Sequence, residues 1–121
     1  MKKDNLLNKK CVPCEGGVPP LGHEEILKYL NQVPGWKLVE DKNPNVQKFG
    51  VGAKISKEFK FKDFIGAINF INNVAEIAES EGHHPDIHIH YNKVLLELFT
   101  HAVGGLSEND FILAAKIDAM K

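Results

Sequence analysis

Residues 63–82 repeat apolar side chains at the period of an α-helix, and no other stretch limits the fold as strongly. Phe64, Ile68, Ile71, Ala75 and Ala78 recur at steps of three and four, with Ala67 and Val74 widening the stripe. Gly82 stands where a C-terminal cap belongs, because glycine takes the left-handed backbone that ends many helices. The stripe reads as core rather than as a cofactor groove.

The flanking segments predict the sheet on which this helix rests. Residues 36–39 and 54–61 read as two strands, the second alternating Ile55, Lys57, Phe59 and Phe61 against Lys54, Ser56, Glu58 and Lys60. Between them, residues 41–52 carry Asn43-Pro44-Asn45 and two glycines, a long hairpin connection. After the helix, residues 87–91 and 94–101 form a hairpin about Asn92-Lys93, with Ile87, Ile89 and Tyr91 on one face and His88 and His90 on the other. In its second strand His101 shares parity with Leu95, Glu97 and Phe99, while Val94, Leu96, Leu98 and Thr100 face the opposite way. Both faces are largely apolar, which predicts a central strand or one covered by an oligomer partner.

Two further helices complete the pattern. Residues 23–32 place Ile26, Leu27, Tyr29 and Leu30 on one side and Glu24 and Glu25 in the first turn, with Pro34-Gly35 as the stop. After Gly104-Gly105, Ser107 is an N-cap candidate and Asp110 stands three residues on, a variant of the capping box, before Phe111, Ala114, Ala115 and Asp118. The order of elements predicts an α+β, two-layer fold: one four-stranded antiparallel sheet with helices packed on one face.

At 121 residues the chain suits one domain, here residues 23–121, preceded by an N-terminal arm over residues 1–22 that is polar and then rich in Cys, Gly and Pro. Fifteen basic and sixteen acidic residues leave a net charge of −1, so no overall field favours nucleic acid. The Met1-Lys2-Lys3 start lacks the apolar run of a signal peptide, and no segment is long and apolar enough to span a membrane. The expectation is a cytoplasmic protein. Cys11 and Cys14 have the spacing of half a zinc knuckle or a redox pair; His23 could add a third ligand, but no fourth is evident. Two reduced cysteines in a loop are the plainer account of the pair.

Five of the six histidines fall within residues 79–110. Imidazole is the side chain whose unperturbed titration lies near neutral pH, so such a cluster points to proton transfer or metal binding. Three readings remain open. His88 and His90, pointing the same way from one strand, form with Glu97 and His101 a set of the kind that binds metals in small β-barrels, although the long helix argues against a barrel. Alternatively, His83 and His84 at the helix end meet His101 across the end of the sheet and supply an acid and a base for an elimination. In the plainest reading, paired histidines before Pro85 merely end a helix. No serine or cysteine nucleophile has an evident base, and no glycine-rich phosphate loop occurs, so dehydration or isomerisation suits the set better than hydrolysis.

Glu79, His83-His84-Pro85, Tyr91, His101 and Asp110 stand at spacings that resemble the pterin-4a-carbinolamine dehydratase family. The likeness runs from Gly35-Trp36 to the C-terminus, and the arm from Cys11 to Leu21 resembles the lead of many bacterial members. It implies a four-stranded antiparallel sheet with helices on one face, association as a homodimer or homotetramer, a small pterin substrate, and neither cofactor nor metal. It implies dehydration of a 4a-hydroxytetrahydropterin in tetrahydropterin recycling, with His83, His84 and His101 as catalytic residues. Glu79, Pro85, Phe99, Thr100 and Asp110 would bind the substrate, Asp110 orienting a histidine or the ring. Gly82, Ile87 and Asn109 depart from the better-known animal members and bear on contacts to the pterin side chain. The same resemblance admits two alternatives: a dehydratase linked to molybdenum cofactor metabolism, or a non-enzymatic module that steadies a transcription factor dimer.

Overall fold

The computed structural model describes Leu6, Lys9, Cys11 and residues 21–39 and 53–120. Most of the arm, Cys14 and the predicted connection over residues 41–52 lie outside the described residues. The elements follow as α1 (His23–Leu30), β1 (Lys37–Val39), β2 (Lys54–Lys60), α2 (Phe64–Glu81), β3 (Asp86–His90), β4 (Lys93–Leu98) and α3 (Glu108–Met120), with a 3-10 turn over His101–Val103 before α3. The strands pair antiparallel in the order β1-β2-β4-β3, so the predicted α+β class and the four-stranded sheet are observed.

Strand alternation sends one set of side chains under the helices. Ile55 and Phe59 of β2 pair with Leu98 and Val94 of β4, and all four are buried, as is Leu96. Ala67, Phe70, Val74 and Ala78 of α2 and Phe111, Ile112, Leu113, Ala114 and Ile117 of α3 close the core from above. Burying each large side chain contributes about 1.5 to 3 kcal/mol. Lys57 shares this covered face, yet it reaches the rim, where its ammonium meets Asp118 at 2.9 Å beside the Trp36 indole N–H, which donates to the same carboxylate at 3.2 Å. That ion pair explains a lysine in an otherwise apolar set.

Asp63 caps α2 by accepting the Gly66 N–H at 2.8 Å, an interaction worth about 1 kcal/mol. Gly82 ends it at φ +67°: the Gly82 N–H reaches the Glu79 carbonyl and the His83 N–H the Ala78 carbonyl, the paired bonds of a left-handed cap. The inward face is rotated from the predicted stripe. Phe64 is 45% exposed and Ala75 lies outside, whereas Phe70 is buried. Isoleucines at 65, 68, 71 and 77 give α2 apolar residues on several sides, so period alone does not select the face.

Two boundaries also differ. The β3–β4 turn is Tyr91-Asn92, with Tyr91 at φ +55° and the Asn92 amide donating to the Phe61 carbonyl at 2.9 Å. Tyr91 therefore leaves the strand face it was expected to share with Ile87 and Ile89. β4 ends at Leu98; Thr100 makes an isolated bridge to Gly105, and His101 opens the 3-10 turn rather than continuing the strand. The return from Thr100 to Gly105 leaves no partner strand for His101 to extend. β4 is central, as one of the two expected explanations of its apolar faces required.

Candidate active site

α2, the turn after β4 and the start of α3 converge on one carboxylate. Asp110 is completely buried, and its two oxygens are used separately. Oδ2 accepts the Thr100 hydroxyl at 2.9 Å and the Ser107 backbone N–H at 3.0 Å; Oδ1 lies 2.6 Å from Nε2 of His83. Thr100 and Ser107 also share a hydroxyl–hydroxyl bond of 2.8 Å. Burying a carboxylate is unfavourable unless such partners replace water. The back-bond to Ser107 is the capping-box variant expected from the sequence, and the His83 contact falls on the opposite oxygen of the same residue.

The left-handed cap at Gly82 makes this geometry possible. It turns the chain out of α2 within one residue and pins the His83 N–H, so the imidazole, 12% exposed, enters between α2 and α3. With Nε2 directed at a carboxylate, a neutral His83 carries its proton there and keeps Nδ1 as the acceptor nitrogen. The arrangement can therefore take up and return a proton.

His84 points elsewhere. Its Nε2 lies 2.7 Å from Oε2 of Glu79, one turn back on α2, and both side chains are largely in solvent. Pro85 then restricts the chain before β3. His101 stacks edge-on against Phe99 at 4.4 Å between ring centroids, and both line a surface recess of about 310 Å³ with Lys54, Asp86 and Gly104. Thr100 links the two regions: it is bonded to Asp110, and His101 follows it in the chain.

The predicted residues thus form a buried group of His83, Thr100 and Asp110, an exposed pair of Glu79 and His84, and a recess wall of Phe99 and His101. Asp86, Lys54, Gly104 and Ser107 were not anticipated as parts of the site. Asp86 could have been found from its place directly after His83-His84-Pro85; nothing in the sequence singles out Lys54.

The four residues of the metal reading do not converge on one point. His88 Nε2 meets Glu97 Oε1 at 3.1 Å on the uncovered face of the sheet, and the other oxygen of Glu97 holds Lys54 at 3.0 Å. Burial pushes the Glu97 pKa up, but the bonds from Lys54 and His88 outweigh it and leave it below the ordinary value. His101, in its 3-10 turn, belongs to the recess. Among the described residues no three His, Cys, Asp or Glu side chains converge as metal ligands would. The Cys11 thiol is pushed up to about 12, first by burial and then by the nearby Glu81 carboxylate, so the thiolate that zinc or disulfide chemistry needs is disfavoured. No described helix is long and apolar enough to cross a membrane.

Comparison with known proteins gives a consistent result. A family model described as Pterin 4 alpha carbinolamine dehydratase matches residues 19–120. A protein of Nitrosospira multiformis named "Putative pterin-4-alpha-carbinolamine dehydratase" is 48% identical over 117 residues, covering 97% of this chain and 93% of its own. One of the same name from Halorhodospira halophila is 45% identical, covering 96% and 97%. Among solved structures, a transcriptional coactivator/pterin dehydratase from Brucella melitensis superposes with a TM-score of 0.71 at 33% identity, over 84% of this chain and 97% of that one.

Proposed function

Because the chain belongs to the pterin 4 alpha carbinolamine dehydratase family, we propose that it removes water from a 4a-hydroxytetrahydropterin by histidine acid/base catalysis, and so serves tetrahydropterin recycling. In this reaction the N5 lone pair forms the N5–C4a double bond as the C4a–O bond breaks. The departing hydroxyl takes a proton and leaves as water, and the N5 proton passes to a base, giving the quinonoid dihydropterin. One acid and one base suffice, and groups of this kind contribute about 10² to 10⁴ in rate.

His84 and His101 would flank the 4a hydroxyl and exchange its proton. His83, tied to the buried Asp110, would complete the set as a histidine of defined tautomer. Glu79, Pro85, Phe99 and Thr100 would hold the ring, with the recess beside Phe99 and His101 as its seat. The observation that carries the reading is the 2.6 Å contact of His83 with a carboxylate that has no exposure to solvent.

The protein is further proposed to work in the cytoplasm as a homodimer or homotetramer. Among the described residues, Leu27, Val39, Phe64, Ile65, Ile87 and Tyr91 are the large apolar side chains left exposed, from which such an association would draw its contacts. The test of the activity is dehydration of 4a-hydroxytetrahydropterin, generated in place, by chelator-treated protein. Acceleration over the uncatalysed reaction is expected, and its absence defeats the reading.

A further inference from the structure

Glu81, the last residue of α2, has a side chain only 9% exposed and no part in the reaction just described. Its two oxygens hold two different elements. Oε1 accepts the backbone N–H of Cys11 in the arm at 2.8 Å, and Oε2 lies 3.6 Å from the ammonium of Lys116 on α3. The Cys11 thiol in turn donates to the backbone carbonyl of Asn109 at 3.6 Å. Burial works to raise the Glu81 pKa, but the Cys11 N–H and Lys116 outweigh it and leave it below the ordinary carboxylate value.

The location matters more than the bonds taken singly. Glu81 stands two residues before His83, and Asn109 stands directly before Asp110. The arm, the end of α2 and the first turns of α3 are therefore joined beside the contact on which the histidine depends. Neither helix needs this junction in order to form: α2 is stopped by Gly82, and its inner face is already packed on the core by Val74 and Ala78. What remains for Glu81 to set is the position of the last turn of α2 against α3. An error of about 1 Å there is enough to lower a rate by about 10².

We propose that Glu81 is a positioning residue, which with the Cys11 N–H and Lys116 holds the end of α2 at the height where His83 reaches Asp110. Its rate effect rests on the dehydratase reading; its effect on His83 does not. The test uses the full-length protein with Glu81→Ala, Glu81→Gln and Cys11→Ala. The titration of the His83 imidazole is followed by NMR, and kcat and KM of dehydration are measured beside it.

Glu81→Ala is expected to shift the His83 midpoint by about half a pH unit or more and to lower kcat about 10-fold, with KM within about two-fold. Glu81→Gln, whose amide oxygen still accepts the Cys11 N–H but which gives up the ion pair with Lys116, should recover part of both. Cys11→Ala should change neither, since the N–H is retained. A folded Glu81→Ala protein with an unaltered His83 titration overturns the proposal. If that variant does not fold, Lys116→Met is read in the same way: a displaced His83 midpoint is expected, and an unchanged one overturns it. Failure of the unsubstituted protein to dehydrate the pterin overturns the dehydratase reading alone, because the His83 titration needs no substrate.

Discussion

His83 and Asp110 are 27 residues apart in the chain and meet at 2.6 Å, the one at the exit of α2 and the other in the first turn of α3. The carboxylate is sealed from solvent by the elements it joins, so the contact is both part of the core and part of the candidate site. Replacement of either partner therefore acts on stability and on chemistry together, and the two effects can be separated by choice of side chain.

Asp110→Asn keeps the shape and the capping oxygen but removes the charge that orients His83. We expect a fall in kcat of about 10² with a small change in the urea midpoint. Asp110→Ala strips partners from Thr100, Ser107 and His83 at once, and should lower stability by about 3 kcal/mol in equilibrium urea unfolding.

His84→Ala and His101→Ala should each lose most dehydration activity, by about 10² or more, while His88→Ala and His90→Ala lose little. Steady-state rates of the four variants decide the matter. Full activity in the first two defeats the assignment, and loss in the last two with bound metal revives the set of His88, His90, Glu97 and His101.

The lowered Glu97 pKa gives a pH-dependent contribution to stability with a definite sign. A carboxyl held below its ordinary value of 4.5 stabilises the fold above that pH, and the contribution is lost as pH falls through the lowered value. Urea midpoints of Glu97→Gln should thus lie below those of the unsubstituted protein near neutrality, and the two series should converge as pH falls through that lowered value.

With a thiol pushed up to about 12, Cys11 should resist alkylation in the native state. In a Cys14→Ser background, modification by iodoacetamide at pH 8 is expected to run about 10² slower than in the urea-unfolded chain. Mass spectrometry of the quenched reaction gives both rates, and equal rates would contradict the buried thiol.

Local signals carried much of the fold. The apolar period announced α2, Gly82 its end, and strand parity the grouping of His88 with Glu97, which the register confirms by pairing His88 with Leu95 and Asp86 with Glu97 across β3 and β4. What escaped were relations between distant segments. The face that α2 buries was set by the sheet beneath it, which moved Phe70 inward and left Phe64 outside. The end of β4 depended on Gly105 returning to bridge Thr100. The pairing of His83 with Asp110, which the resemblance left between a histidine and the ring, required α3 to start beside the exit of α2, and the hold of Cys11 on Glu81 joins residues 70 apart in the chain. None of these has a counterpart in residue spacing.

The shared grip of Thr100, Ser107 and His83 on Asp110 also bears on the order in which the molecule assembles. β4 and α3 must both be docked on α2 before that carboxylate can be enclosed, whereas α2 and the β3–β4 hairpin can begin from contacts near in sequence. In refolding from denaturant, helical and strand signals should therefore return ahead of catalysis. The regain of turnover would mark the moment at which the last helix closes.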